Sequence, residues 1–136
     1  MSIDLKGKKI LVTGAHGFLG HFLLEELKKA GATDVFTPSI KDADLRKLAD
    51  VQRVIKGMDI VIHLAAKVGG IGYNREKPGE LFYDNIIMGV QLMEEARKAG
   101  VKKVVALGTI CAYPNFTPVP FKEDDIWNGY PEETNA

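Results

Sequence analysis

An apolar run, Ile10-Leu11-Val12, leads directly into Thr13-Gly14-Ala15-His16-Gly17-Phe18-Leu19-Gly20, and then into apolar residues recurring at helical spacing up to Leu27. Strand, glycine turn and helix in that order leave few folds open. Gly14 permits the tight turn, Gly17 lets a pyrophosphate approach the backbone, and Gly20 lets helix and strand pack closely. The free N–H groups and the dipole at the helix start favour phosphates. The glycines are spaced G-x-x-G-x-x-G rather than G-x-G-x-x-G, and turns use glycine freely. Their position between strand and helix is what favours dinucleotide binding.

The rest of the chain continues the alternation. Gly31 is a natural helix end, Thr33 to Thr37 reads as a second strand, and Pro38 stops it. A NAD site carries an acid near the end of this strand for the ribose 2′-hydroxyl. Thr37-Pro38-Ser39-Ile40-Lys41 has none, and the hydroxyl of Ser39 with the cation of Lys41 suits a 2′-phosphate, hence NADP with NAD as the alternative. A plain solvated loop is the other reading of Ser39 and Lys41. Residues 40–45 give a poorly marked third strand. Arg46 to Lys56 reads as a helix with Leu48, Val51, Val54 and Ile55 on one face and Asp44 as its N-cap.

Met58 to Ala66 is the best strand, apolar on both faces as a central parallel strand should be. Ala65 and Ala66 stand at its carboxyl end, where ligands meet such sheets. His63 lacks an adjacent nucleophile or orienting acid and reads as a packed histidine. Lys67 to Asn74 is a glycine-dense loop able to bring backbone close to a ligand. Pro78 to Ala99 is a long helix with Leu81, Ile86, Met88, Val90, Leu92, Met93 and Ala96 as candidate core. Asn85 either binds backbone near the site or lies exposed. Val101 to Leu107 is the next strand, followed at its carboxyl end by Gly108-Thr109-Ile110-Cys111-Ala112-Tyr113-Pro114. In extended chain Thr109 and Cys111 share a face, where a hydroxyl and a thiol can orient a carbonyl and exchange a proton. An inert cysteine is the plainer reading. Residues 115–136 form an irregular surface segment.

The alternation predicts an α/β fold, a doubly wound parallel sheet of Rossmann type, in one domain over 1–136 with strand order 3-2-1-4-5. Eighteen basic and eighteen acidic residues are spread along the chain with no net charge. That disfavours a nucleic-acid partner or a membrane surface. No apolar run approaches the ~20 residues of a membrane span, and the start lacks the apolar stretch of a signal peptide. A lone cysteine fits a reducing cytoplasm, and no metal site is expected.

Thr13-Gly14-Ala15-His16-Gly17-Phe18-Leu19-Gly20, His63-Leu64-Ala65-Ala66 and Gly108-Thr109-x-Cys111-x-Tyr113-Pro114 together resemble the extended short-chain dehydrogenase/reductases, the NAD-dependent epimerase/dehydratase family of nucleotide-sugar enzymes. Lys67-Val68-Gly69-Gly70-Ile71, Asp84-Asn85 and Gly129-Tyr130-Pro131-Glu132-Glu133-Thr134-Asn135 resemble its GDP-L-fucose synthase branch, NADP-dependent 3,5-epimerases and 4-reductases of a GDP-4-keto-6-deoxymannose. The resemblance covers essentially the whole chain from Lys9. It implies that residues 14–20 (Gly14, Ala15, His16, Gly17, Phe18, Leu19 and Gly20) meet the cofactor pyrophosphate. It implies that Leu45, Leu64, Ala65 and Ala66 line the adenine and ribose pocket, with Leu107 and Gly108 also at the cofactor. Thr109 stands where the family has its catalytic hydroxyl, and Cys111 where it has the thiol that acts as epimerisation base. His16 stands where the branch often has an arginine beside the 2′-phosphate.

The same resemblance implies a GDP-sugar substrate and a homodimer of the full-length enzyme. It places the family's catalytic Tyr-x-x-x-Lys pair just after Asn135, beyond Ala136, together with the last strands and the substrate domain. The expectation is therefore an NADP-binding part that does not turn over substrate by itself. Two alternatives remain: an enzyme for another nucleotide sugar, or a non-catalytic dinucleotide-binding module.

Overall fold

The computed structural model describes residues 4–131. In chain order these form β1 (Lys9–Thr13), α1 (Phe18–Lys29), β2 (Asp34–Phe36), α2 (Leu48–Ile55), β3 (Ile60–His63), α3 (Ile71–Glu76), α4 (Pro78–Lys98) and β4 (Lys103–Ala106), with short 3-10 turns at Ile110–Ala112 and Glu123–Trp127. The four strands make one sheet in the order β2-β1-β3-β4. All pairs are parallel, with Leu11 opposite Phe36 on one side and Val61 on the other, and Val61 opposite Val104.

Alternation along the strands divides the core into two layers. Leu11 and Val61 face Val51, Val54 and Ile55 of α2 and Leu92 and Ala96 of α4. Ile10, Val12 and Ile60 face the opposite way and pack with Leu27 of α1 and Ala32 just after it. Sheet positions buried on both faces are what a helix-covered parallel sheet requires. Each fully buried aliphatic side chain contributes roughly 1.5–3 kcal/mol relative to exposure.

The third strand over residues 40–45 does not form. Its backbone donors are taken by local turns: Asp42 and Ala43 donate to the Ser39 carbonyl at 3.0 and 2.9 Å. Asp44 N–H donates to Asp50 Oδ2 at 3.0 Å and Arg46 N–H to Asp44 Oδ1 at 3.1 Å. Side chains that bond to nearby backbone compete with strand pairing in this way. The glycine-dense loop also differs from expectation, because Ile71–Glu76 closes into the short α3.

On α4 the inward face is set by Leu81, Asp84, Leu92, Glu95 and Ala96, all buried. Ile86, Val90 and Met93, expected in the core, are 48–56% exposed and share an outer stripe with Phe82. Asp84 and Glu95 hold inward positions because each meets a lysine, Lys67 and Lys98 respectively.

Candidate nucleotide site

A cavity of about 800 Å³ opens at the carboxyl edge of the sheet, within the range of ligand pockets. Its floor is the β1–α1 turn. Gly14 has φ +71°, and a Cβ there would lie 2.6 Å from Ala65 N. The turn therefore sits directly on the extension of β3, a closeness only glycine allows. A Cβ on Gly20 would lie 2.3 Å from the Ala15 carbonyl oxygen, so Gly20 seats α1 against the same turn. A Cβ on Gly17 would meet only the Gly14 carbonyl at 3.3 Å. Gly17 is the N-cap of α1, no side chain caps the helix, and its first turn holds no acid. The exposed N–H groups and positive end of the dipole thus remain open to an anion.

The structure sorts the expected residues by position. Gly14, His16, Gly17, Ser39, Leu45, Leu64, Ala65 and Ala66 line the cavity. Ala15 is buried beneath the turn and Gly20 under α1. The side chains of Phe18 and Leu19 point outward, 84% and 45% exposed, leaving only their backbone on the helix start. Lys41 is exposed outside the lining, as the turn from Ser39 to Ala43 carries it away. Leu107, Gly108, Thr109 and Cys111 follow β4 in exposed chain and are likewise outside it. Thr109 accepts the Cys111 N–H at 3.1 Å, capping the turn that follows. This turn ends the extended conformation on which a shared face for Thr109 and Cys111 was expected.

Three hydrogen-bonded contacts around the cavity, made by Asp42, His16 and Asn85, carry no signal in spacing alone. Asp42 folds back so that Ser39 donates both N–H and hydroxyl to its Oδ2, at 2.9 and 2.6 Å. An acid thus does stand near the end of β2, and the Ser39 hydroxyl bond, followed by the backbone one, holds its pKa below the usual carboxylate value. His16 donates Nε2–H to the Thr37 carbonyl at 3.1 Å. Asn85, one of the two open readings above, grips the backbone of Lys67 at both N–H and carbonyl, 2.7 and 2.8 Å. A Tyr-x-x-x-Lys spacing does occur within the chain, at Tyr73 and Lys77. It lies at the end of α3, outside the cavity lining.

His63 is packed, as its surroundings in sequence suggest, and Nδ1 meets Thr13 Oγ1 at 2.7 Å. Thr13 Oγ1 also accepts Ala65 N–H at 3.3 Å. Burial lowers the His63 pKa from its ordinary value. Below about 6.5 the unfolded chain takes up this proton while the folded one resists, so stability falls from there down to the folded pKa and no further. Urea denaturation of wild type and His63→Gln at pH 7.5 and 5.5 reads this directly. Wild type is expected to lose more stability than the variant, and equal losses count against it.

The model of the NAD dependent epimerase/dehydratase family matches residues 10–134. A GDP-L-fucose synthase of Azorhizobium caulinodans is 34% identical over 132 residues, 96% of this chain and 42% of the relative. A GDP-mannose 3,5-epimerase of Oryza sativa subsp. japonica is 31% identical, over 92% of this chain and 38% of its own. A solved GDP-L-fucose synthetase of Naegleria fowleri bound to NADP superposes with a TM-score of 0.82 at 27% identity, covering 96% of this chain and 39% of that one. The chain spans about two-fifths of the length of the relatives it matches.

Proposed function

The chain belongs to the NAD dependent epimerase/dehydratase family, and from that premise we propose that it is the NADP-binding part of a GDP-L-fucose synthase-like enzyme, a 3,5-epimerase and 4-reductase acting on a GDP-sugar. The observation that carries the reading is the uncapped, acid-free start of α1 facing a cavity of nucleotide size. Gly14 and Gly17 bring backbone to a pyrophosphate, while Leu45, Leu64, Ala65 and Ala66 offer apolar walls to a base. The bound nicotinamide would supply a hydride to a ketone. Thr109 is proposed as the hydroxyl that orients that ketone, and Cys111 as the group that moves the proton beside it. Both stand past the carboxyl end of β4, on the far side of the sheet order from β2. The cofactor's reactive half would lie toward them and its adenosine half over β1 and β2.

The residues 1–136 are proposed as one dinucleotide-binding unit, in a cytoplasmic enzyme that is a homodimer at full length. The support for a GDP-sugar is the named activity of the relatives and the Lys67–Ile71 segment. Calorimetric titration of the chain with NADP and then NAD tests the cofactor. Binding of both with tighter NADP is the expected result, and no binding to either defeats the nucleotide reading. Asp42 favours a second reading: an acid held against Ser39 can accept a ribose 2′-hydroxyl, and a preference for NAD would assign it that role.

A further inference from the structure

The back wall of the cavity is stitched together by one face of α4. Asp84, Met88 and Gln91 succeed one another at helical spacing. Gln91 Nε2 donates to the carbonyls of Leu45 and Arg46, both at 3.1 Å. Asp84 is 6% exposed, yet it accepts from two cations: Arg46 Nη1 at 3.2 Å and Lys67 Nζ at 2.8 Å. Arg46 in turn closes its fork on Asp44, with Nε on Oδ1 and Nη2 on Oδ2, each at 2.9 Å. Asp44, Arg46 and Asp84 all line the cavity.

This chain of contacts has a direction. The Arg46 side chain is 38% exposed and that of Asp84 only 9%. An exposed ion pair by itself holds geometry weakly, whereas a guanidinium anchored on a buried carboxylate has one arrangement. The buried member therefore fixes Arg46, and Arg46 fixes the Asp44 carboxylate. The Arg46 hydrogen bond, foremost among its causes, also keeps the Asp44 pKa low, so that the group only accepts. Oδ1 is filled by the Arg46 backbone N–H and Nε, whereas Oδ2, bound by Nη2, retains a second lone-pair direction for a donor in the cavity.

The phosphate end of the cavity is the start of α1, so the segment from Pro38 to Arg46 is the base end. We propose that Asp84 is a positioning residue: acting through Arg46, it aims Asp44 at the base, so that the site selects a purine with an exocyclic amine over a 6-oxo purine. The amine offers N–H to the carboxylate, while a 6-oxo group brings an acceptor against an acceptor. The inference rests on the nucleotide reading above.

The test is calorimetric titration of the chain, Asp84→Asn and Arg46→Lys with NADP and with nicotinamide hypoxanthine dinucleotide phosphate. Wild type is expected to favour NADP by about tenfold, the scale of a hydrogen bond to a charged group. Each variant is expected to lose most of that ratio, with the hypoxanthine analogue little affected. Arg46→Lys retains the positive charge without the planar fork, and it decides the matter if Asp84→Asn does not fold. A merely structural role would weaken both ligands alike, so an unchanged ratio overturns the proposal, as does a wild type without preference. A wild type that binds neither dinucleotide overturns the nucleotide reading itself.

Discussion

Gly14→Ala is expected to destabilise the chain by about 3 kcal/mol or more and to leave no measurable nucleotide binding. Two costs combine at this residue. An L side chain at φ +71° is strained by roughly 1–2 kcal/mol. Its Cβ would also lie 2.6 Å from Ala65 N, 2.7 Å from Leu64 C and 2.8 Å from Ala65 Cα. Those atoms are backbone and cannot rotate away. They are held in place by Leu64 N–H on the Thr13 carbonyl at 3.1 Å and by Ala65 N–H on the Thr13 hydroxyl. Relief would need β1 and the extension of β3 to part at the floor of the cavity. Gly17→Ala is the informative contrast, since Gly17 has φ −81° and its Cβ would meet only one carbonyl at 3.3 Å. It is expected to melt close to wild type while losing nucleotide affinity. Thermal melts and calorimetry on the pair check this, and a Gly14→Ala protein that melts and binds like wild type refutes the turn geometry.

The second large effect belongs to the core. Leu92→Ala is expected to cost about 2–5 kcal/mol, as other buried leucine truncations do. Leu92 is fully buried and joins α4 to Leu11 and Val61 of the sheet and to Val51 and Val54 of α2. Its loss opens a cavity between all three elements at once. Against a total stability of roughly 5–15 kcal/mol, that is a large share. Val90→Ala, on the outer stripe at 56% exposure, is expected to change stability by less than about 0.5 kcal/mol. Urea denaturation should show the Leu92→Ala midpoint falling with the slope unchanged. Similar midpoints for the two variants would mean that α4 faces the other way.

Those two positions also mark what was legible in the chain. The β1–α1 turn could be read because strand, glycines and helix lie in sequence, so local spacing carries the geometry. The strand order 2-1-3-4 is the expected order without its weakest member. Residues 40–45 have strand-like apolar residues, but Ser39, Asp42 and Asp44 spend the backbone donors locally. On α4 the apolar pattern places Ile86, Val90 and Met93 in the core while the structure exposes them, because apolar residues occupy more than one side of that helix. Asp84 and Glu95 take inward positions through lysines, one of them seventeen residues away in the chain. The same reason hid the link from Asp84 to Arg46, which spans thirty-eight residues. Hydropathy patterns report which side of an element is apolar. They do not report which charges find each other across loops.

The parallel pairing has a consequence for the order in which the molecule can assemble during synthesis. β1 is made first yet lies at the centre, and its partner β3 is 50 residues further along. Until β3 emerges, β1 has only the short β2 beside it, and its far edge waits unpaired. Joining such distant segments means closing a long loop before any contact rewards it, which slows folding of parallel sheets. The cavity waits longer still, since Gln91 must arrive to hold the carbonyls of Leu45 and Arg46. The phosphate turn is thus encoded early and becomes a binding site late, once α4 has closed behind it.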